Sequence, residues 1–115
     1  MKLSEYQQAA RRTQNVLLAK RDRVEHALWG MCSEVGEIHG IYQKVHQGHK
    51  FDKTKVAEEM GDLLWFIAEL ADEIGVSLDG VAEDNIAKLR IRYPEKFSVQ
   101  DSIERRDVNA VSEGR

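Results

Sequence analysis

Apolar residues recur at the spacing of an α-helix through nearly the whole chain, and this periodicity limits the fold more than any other feature. A helical period puts residues i, i+3, i+4 and i+7 on one face. The only proline, Pro94, comes late in the 115 residues, so long helices can form before it. No segment alternates convincingly with the period of two that marks a half-buried strand. The sequence therefore predicts an all-α fold, a four-helix bundle.

The helical pattern has clear start and stop signals. Ser4 is the expected N-cap of the first helix, and Asp52 or Thr54 that of the third. Gly48 and Gly75 are stop signals after the second and third helices. A short helix is expected near residue 103, after a polar segment begins. The four main helices are predicted over about residues 4–21, 23–45, 55–74 and 78–92.

Length and composition indicate a single globular domain. We expect a helical domain over residues 1–106 and a loose polar tail over residues 107–115. The formal net charge of −3 argues against a partner that is a nucleic-acid polymer, but not against a small anionic ligand. The single cysteine, Cys32, excludes an intrachain disulfide, and its apolar neighbours predict a buried, inert thiol.

The chain has no apolar run that would suit a signal peptide or a membrane span. The N-terminal stretch "MKLSEYQQAARR" is polar, and no segment approaches about 20 apolar residues. We therefore expect a cytoplasmic protein.

Two acidic pairs stand on equivalent flanks of the second and third helices. "EVGE" supplies Glu34 and Glu37, and "EMGD" supplies Glu59 and Asp62. At 100° per residue, each pair lies at the edge of its helix's apolar stripe. If the two helices form an antiparallel hairpin, the four carboxylates converge, and they then require a cation to offset their repulsion. Carboxylate oxygens favour Mg²⁺ or Mn²⁺.

Other features can be read in either of two ways. Gly36 and Gly61, one inside each pair, suggest close backbone approach or space kept for a ligand. Against a metal site stands the fact that acids three residues apart are common in a chain with 20 of them. The same spacing recurs twice at positions that we expect to be surface: Asp22 with Glu25, and Glu69 with Asp72.

The predicted fourth helix carries a stripe of donors on or beside its apolar face. Asn85, Lys88 and Arg92 share this stripe. One interpretation is that Asn85 is a satisfied core group and that the two cations extend along apolar surface toward water. The other is that all three face the acids and bind phosphate oxygens.

The third helix is apolar nearly all round. Trp65 falls opposite the centre of its stripe and Phe66 falls on the flank. A single bundle cannot easily bury both sides, so an oligomer interface is the favoured interpretation, with nucleobase stacking on Trp65 as the other. Trp29, on the second helix, has the same two interpretations.

These motifs together resemble the MazG-like all-α nucleoside triphosphate pyrophosphohydrolases. That family's pattern is EExxE, a spacer, then ExxD, and here "SEVGE" and "EEMGD" match it with 21 residues between Glu37 and Glu59. "NIAKLRIRYPEKF" is similar to the family's segment after the last core helix. The resemblance covers about residues 3–106.

The resemblance implies a function and a set of site residues. The reaction would be hydrolysis of a nucleoside triphosphate to the monophosphate and pyrophosphate, a house-cleaning activity among other roles. Glu34, Glu37, Glu59 and Asp62 would hold Mg²⁺, with Mn²⁺ as a substitute. The nucleotide would contact residues of the donor stripe, namely Asn85, Lys88 and Arg92. The family also implies a homo-oligomer, a dimer or a tetramer built from dimers, with active sites near subunit contacts.

One position departs from the family pattern. The first glutamate of EExxE, which can position or deprotonate the attacking water, is replaced by Ser33. The general base is therefore open among Glu58, a carboxylate of the metal-binding set such as Glu34 or Glu37, and hydroxide on the metal.

Two other classes of function remain. A ferritin-like di-iron protein needs Glu-x-x-His pairs. Here Glu37 and Asp62 stand where those histidines would be, which disfavours iron. A non-enzymatic helical module that dimerises or binds a protein would explain the apolar helices but not the acids at their edges.

Overall fold

The computed structural model describes residues 1–108, and none of these residues forms a strand. The prediction of an all-α fold is therefore confirmed. Two compact units divide the chain, one comprising Met1–Leu78 and the other beginning at Asp79. Most of the predicted loose tail, residues 109–115, lies outside the described residues. The helices are α1 (Leu3–Arg11), α2 (Lys20–His46), α3 (Lys53–Ile74), α4 (Leu78–Arg92) and α5 (Val99–Glu104).

Helices α2 and α3 form the antiparallel hairpin that the sequence predicts. Arg23 on α2 pairs with Glu73 on α3 at 2.6 Å, and His26 pairs with Glu69 at 2.8 Å. Further along, Gly30 lies against the ring of Phe66. In these contacts, residue numbers rise along α2 as they fall along α3. This antiparallel register brings the two acidic pairs together.

The turns at both ends of α3 follow the predicted signals. Asp52 caps the helix by accepting hydrogen bonds from the backbone N–H groups of Thr54 and Lys55 at 3.0 and 3.4 Å. Gly75 ends it with φ of 76°, a left-handed conformation in which glycine carries no steric cost. Gly48, in the connection between α2 and α3, has φ of 99°.

Helix α1 differs from its prediction at both ends. It begins at Leu3, with Lys2 rather than Ser4 as its N-cap, and it ends at Arg11, about ten residues early. Tertiary hydrogen bonds explain the early end. The Gln14 amide donates to Asp72 Oδ2 at 2.8 Å, and the Arg11 guanidinium donates to both oxygens of Asp72 at 2.8 and 3.1 Å. The chain therefore leaves the helix to follow α3.

The first unit has a core of small residues, and large apolar side chains remain at its surface. Tyr6 and Trp65 pack on the buried cluster of Ala10, Ala68, Ala71 and Leu78. Trp29, Met60 and Ile74 are exposed by 68%, 58% and 61%. Within one chain, therefore, α3 is not buried on all sides.

Three sequence predictions about burial are wrong. Cys32 is exposed rather than buried, because it lies away from the face of α2 that meets α3. Glu69 and Asp72, expected at the surface, are held inward by partners from α2 and α1: the side chain of Glu69 is 1% exposed and that of Asp72 is 10% exposed.

The second unit contains α4 and α5. Helix α4 ends at Arg92, two residues before Pro94, as predicted. Ser98 caps α5 by accepting from the backbone N–H of Asp101 at 3.0 Å, and this helix is the one expected near residue 103. Arg92 forms a two-pronged pair with Asp107, Nε to Oδ1 at 2.9 Å and Nη2 to Oδ2 at 3.0 Å.

Candidate metal and nucleotide site

Three of the four predicted acids meet between α2 and α3. One carboxylate oxygen from each of Glu34, Glu59 and Asp62 lies within 4.8 Å of the others. Glu34 and Glu59 are half-buried, whereas Asp62 is exposed. The fourth acid, Glu37, is exposed and lies beside Glu59. The convergence that the flank positions predict is therefore present.

Two carboxylate oxygens of this cluster lack a hydrogen-bond partner among the described residues. Oε2 of Glu34 and Oε2 of Glu59 are buried and have no hydrogen-bond partner among residues 1–108. A hydrogen bond shared with Glu59 raises the pKa of Glu37, and the charge of Glu59 adds to this effect. A hydrogen bond to Glu34 raises the pKa of Glu59 in the same way. Clustered carboxylates with two buried, unpartnered oxygens form a set of oxygen ligands suited to a hard divalent cation.

The glycines inside the acidic pairs do not mark a close approach of backbones. A Cβ added at Gly36 or Gly61 would meet no described atom within 4 Å. The prediction of close backbone approach at these glycines is therefore wrong. Space for a ligand remains a prediction. The close approach occurs instead at Gly30, where a Cβ would come within 2.3 Å of the Phe66 ring.

A cavity of about 390 Å³ opens beside the acids. It is lined by Glu34 and Asp62 on its charged side and by Trp65, Phe66 and Thr13 elsewhere. Sites for small molecules measure about 300–1,000 Å³ and combine apolar walls with a few polar groups. The cavity thus has the size and composition of a site for an aromatic, charged ligand.

Trp65 is the predicted substrate contact that lies in this cavity. Its side chain is half-buried, and its ring meets that of Phe66 edge to face at 5.1 Å. Thr13 and His26 contact these rings from outside α3, and Glu69, on α3, holds His26. The sequence did not single out these three residues as functional. The available signal was helical spacing, since His26, Gly30 and Glu34 follow one another at intervals of four on α2.

The remaining predicted residues have other surroundings. Asn85 and Lys88 are exposed on α4, so Asn85 is not a core group. Arg92 is largely covered and paired with Asp107, which raises the pKa of Arg92 and lowers that of Asp107. Glu58 and Ser33 are exposed on α3 and α2, and Glu58 is not part of the three-acid cluster.

Comparison with known proteins shows the family of the chain. Residues 24–97 match the MazG nucleotide pyrophosphohydrolase domain, which is more than half of the chain. The chain therefore belongs to the MazG nucleotide pyrophosphohydrolase family, and the matched segment contains all four acids.

A solved structure and a curated protein extend the comparison. The crystal structure of iMazG from Vibrio DAT 722 is similar with a TM-score of 0.61 and 31% identity, over 83% of this chain and 100% of that one. Gene 37 protein of Mycobacterium phage L5 is 27% identical over 74 residues. That match spans 60% of this chain and 65% of the phage protein, just under two thirds of its length. No helix within residues 1–108 combines the length and the apolar character needed to cross a membrane.

Proposed function

We propose that the protein is a Mg²⁺-dependent nucleoside triphosphate pyrophosphohydrolase that converts an NTP or dNTP to the monophosphate and pyrophosphate. One observation carries the proposal: Glu34, Glu59 and Asp62 converge within 4.8 Å in a chain of the MazG family. Two of their oxygens are buried without a described donor. Such a cluster repels a bare polyphosphate, so it can take part in its hydrolysis only through a cation.

The four acids would bind the cation together. Glu34, Glu59 and Asp62 would hold Mg²⁺, or Mn²⁺ in its place, and Glu37 would complete the set from its position beside Glu59. Bound Mg²⁺ would supply charge neutralisation at the phosphates and help to polarise the attacking water. Contacts between α2 and α3 would hold the carboxylates near one another before substrate arrives, so that little reorganisation would be needed.

The proposed reaction consumes one water. Its oxygen forms a bond to phosphorus while the anhydride bond between the α and β phosphates breaks, and pyrophosphate leaves. One proton of the water passes to a general base, for which Glu34, Glu37 and Glu58 are the candidates. Glu34 and Glu37 are in or beside the cluster, whereas Glu58 is outside it. Separate Glu37→Gln and Glu58→Gln variants would test these two candidates: loss of the general base removes the acidic limb of the pH profile of kcat, on which that carboxylate becomes protonated.

Contacts with the substrate are part of the proposal. Trp65 would contact the nucleobase in the cavity beside the acids. Asn85, Lys88 and Arg92 would contact the nucleotide and its phosphates, as the family resemblance implies. Arg92 already uses Nε and Nη2 on Asp107, so a phosphate would have to compete with that carboxylate.

A homo-oligomer, either a dimer or a tetramer built from two dimers, is part of the proposal. The exposed apolar side chains of α2 and α3, Trp29, Met60 and Ile74 among them, support it because a water-facing surface of this kind is costly. Sedimentation equilibrium tests this part, and a monomer at micromolar concentration would contradict it.

The decisive experiment is a pyrophosphate-release assay with Mg²⁺ over a panel of NTPs, dNTPs and damaged nucleotides. We expect turnover of at least one substrate, and loss of about 100-fold or more in Glu59→Gln with the fold retained. Glu25→Gln is the matched control, since Glu25 is a glutamate on α2 whose only described ion pair is a surface contact with Arg21. Absence of pyrophosphate with every nucleotide at micromolar enzyme would refute the proposal and favour a non-enzymatic module.

The proposed location and role follow from the proposed substrate. Nucleoside triphosphates are made and used in the cytoplasm, where an enzyme of this kind would remove unwanted nucleotides. Nucleotide pools in cells with and without the protein would test this role, and unchanged pools would contradict it.

A further inference from the structure

The aromatic wall of the cavity is fixed by a polar contact that crosses between helices. The indole Nε1 of Trp65 donates a hydrogen bond to Oγ1 of Thr13 at 2.8 Å. The same Thr13 hydroxyl donates to the carbonyl oxygen of Ala10 at 2.8 Å. Because the hydroxyl proton is committed to Ala10, the oxygen presents its lone pairs to the indole, and the two bonds reinforce one another.

Thr13 is itself held in place by the packing of α1 on α3. Asp72 accepts hydrogen bonds from Gln7, Arg11 and Gln14, on both sides of Thr13 in sequence. Trp65 lies seven residues before Asp72, about two helical turns away on the same face of α3. The Asp72 contacts therefore determine where the Thr13 hydroxyl meets the indole.

The opposite side of the ring pair is supported independently. The imidazole of His26 lies edge-on to Trp65 at 6.3 Å and tilted against Phe66 at 5.5 Å. Its Nδ1 is 2.8 Å from the buried Oε1 of Glu69. Phe66 in turn fills the space beside Gly30. With this side fixed by packing, the Thr13 hydroxyl supplies the described polar contact of the Trp65 indole.

We propose that Thr13 is a positioning residue that sets nucleobase selectivity by fixing the orientation of the Trp65 indole in the cavity beside Glu34 and Asp62. This inference rests on the proposed function, in which Trp65 contacts the base. Every base has a π-face, so stacking alone discriminates poorly. Discrimination needs an indole held at one angle, because bases of different size and outline then fit the fixed wall unequally. Thr13 acts through Trp65 and not on the phosphates, so its effect belongs in KM rather than kcat.

The test uses two variants that separate the hydroxyl group from the branched shape of Thr13. Thr13→Val removes the hydroxyl and keeps the branched outline, whereas Thr13→Ser keeps the hydroxyl. Both are made in a parent protein that carries Trp29→Phe. Of the two tryptophans, this parent retains only Trp65. The probes are nucleoside monophosphates of four different bases in Mg²⁺, which bind without turnover, and binding is followed by Trp65 fluorescence. KM and kcat are measured for the matching triphosphates.

Thr13→Val is expected to change the Trp65 emission and to weaken the preferred monophosphate roughly tenfold, with the preference among bases reduced. Its kcat stays near that of the parent, and Thr13→Ser resembles the parent in every measurement. Trp65→Phe, which lacks the indole N–H, provides a second arm. Combined with it, Thr13→Val should give no further loss of preference, whereas additive losses would overturn the proposal.

The outcomes separate this inference from the proposed function. Equal base preference in the Thr13→Val and Thr13→Ser proteins, with pyrophosphate still released, overturns the inference and leaves the proposed function standing. Failure to release pyrophosphate refutes the proposed function, whatever the fluorescence shows. If Thr13→Val does not fold, Trp65→Phe alone decides: unchanged base preference measured by calorimetry would overturn the inference.

Discussion

The ring of Phe66 occupies the space that a side chain at position 30 would need. A Cβ built on Gly30 would lie 2.3 Å from Cδ1 and Cε1 of Phe66 and 2.5 Å from Cζ. Such distances are far inside van der Waals contact, so α2 can approach α3 at this point only because residue 30 has no side chain. The contact lies one turn from Glu34 and one turn from Asp62, and it therefore helps set the spacing of the acids.

Gly30→Ala is expected to destabilise the protein, although alanine is the better helix former. The added methyl must displace the Phe66 ring, and overpacking of this kind costs about 1–3 kcal/mol in the free energy of unfolding. Gly36→Ala on the same helix is the control, because it meets no described atom and should stabilise by up to about 1 kcal/mol. Urea unfolding measures both. Equal effects from the two substitutions would contradict the importance of the Gly30 contact.

Gly36→Ala also tests the prediction that space is kept for a ligand. Lower turnover in a more stable protein would support that prediction, whereas normal turnover would show that the methyl is tolerated beside the cation.

The acid cluster is expected to destabilise the metal-free protein as pH rises. A hydrogen bond with Glu59 raises the pKa of Glu37 above the ordinary value of 4.5, a hydrogen bond with Glu34 raises that of Glu59, and like charge adds to both effects. A raised folded-state pKa contributes stability that is fully present below the unfolded value. This stability is lost as pH rises through the folded-state pKa. Melting temperatures in EDTA should therefore fall as pH rises above about 4.5.

Glu59→Gln should reduce the loss of stability that the metal-free protein suffers as pH rises. It should also remove most of the stabilisation that Mg²⁺ gives. In EDTA at neutral pH the variant should melt higher than the parent, because one of the repelling charges is gone. With Mg²⁺ the parent should gain stability and the variant should gain much less, since it lacks a ligand. A parent that Mg²⁺ does not stabilise, at any concentration up to tens of millimolar, would count against the metal site.

Asp72 is expected to stabilise the protein at neutral pH and to lose that effect in acid. Burial raises the pKa of Asp72, but hydrogen bonds from Arg11, Gln14 and Gln7 outweigh burial and hold the pKa below its ordinary value of 3.8. A lowered folded-state pKa gives stability that is present above the unfolded value and lost as pH falls through the folded one. Asp72→Asn should therefore cost about 1–3 kcal/mol at pH 7 and less near pH 2.

The control for Asp72 is Asp84→Asn, an exposed aspartate on α4. It should change the free energy of unfolding little at either pH. A cost for Asp72→Asn that does not depend on pH would contradict the role of its ionised form.

Helical periodicity was enough to predict α2, α3 and α4, and the flank positions were enough to predict where the acids meet. Local chemistry determines these features: apolar spacing, the Asp52 cap and the left-handed Gly75. The length of α1 could not be predicted, because no glycine or proline marks its end and the chain leaves the helix for contacts with Asp72.

The residues that hold Trp65 and Phe66 in place could not be predicted, for a related reason. Thr13 meets Trp65 across 52 positions of sequence, and His26 meets Glu69 across 43. Such pairs depend on the register between helices, which spacing along one helix does not determine. The sequence prediction put Glu69 at the surface. Without the position of the neighbouring helix, its carboxylate fits a surface ion pair equally well.

The His26–Glu69 pair gives the final prediction. The carboxylate of Glu69 is 1% exposed, while His26 is 47% exposed, so loss of the histidine leaves a buried acceptor without this partner. His26→Ala should cost about 1–3 kcal/mol. Adding Glu69→Leu to His26→Ala should recover part of that loss, because apolar groups can replace a buried polar pair at little cost. Chemical denaturation of the two proteins measures the difference. A double variant less stable than His26→Ala alone would mean that Glu69 stabilises the hairpin through groups other than His26.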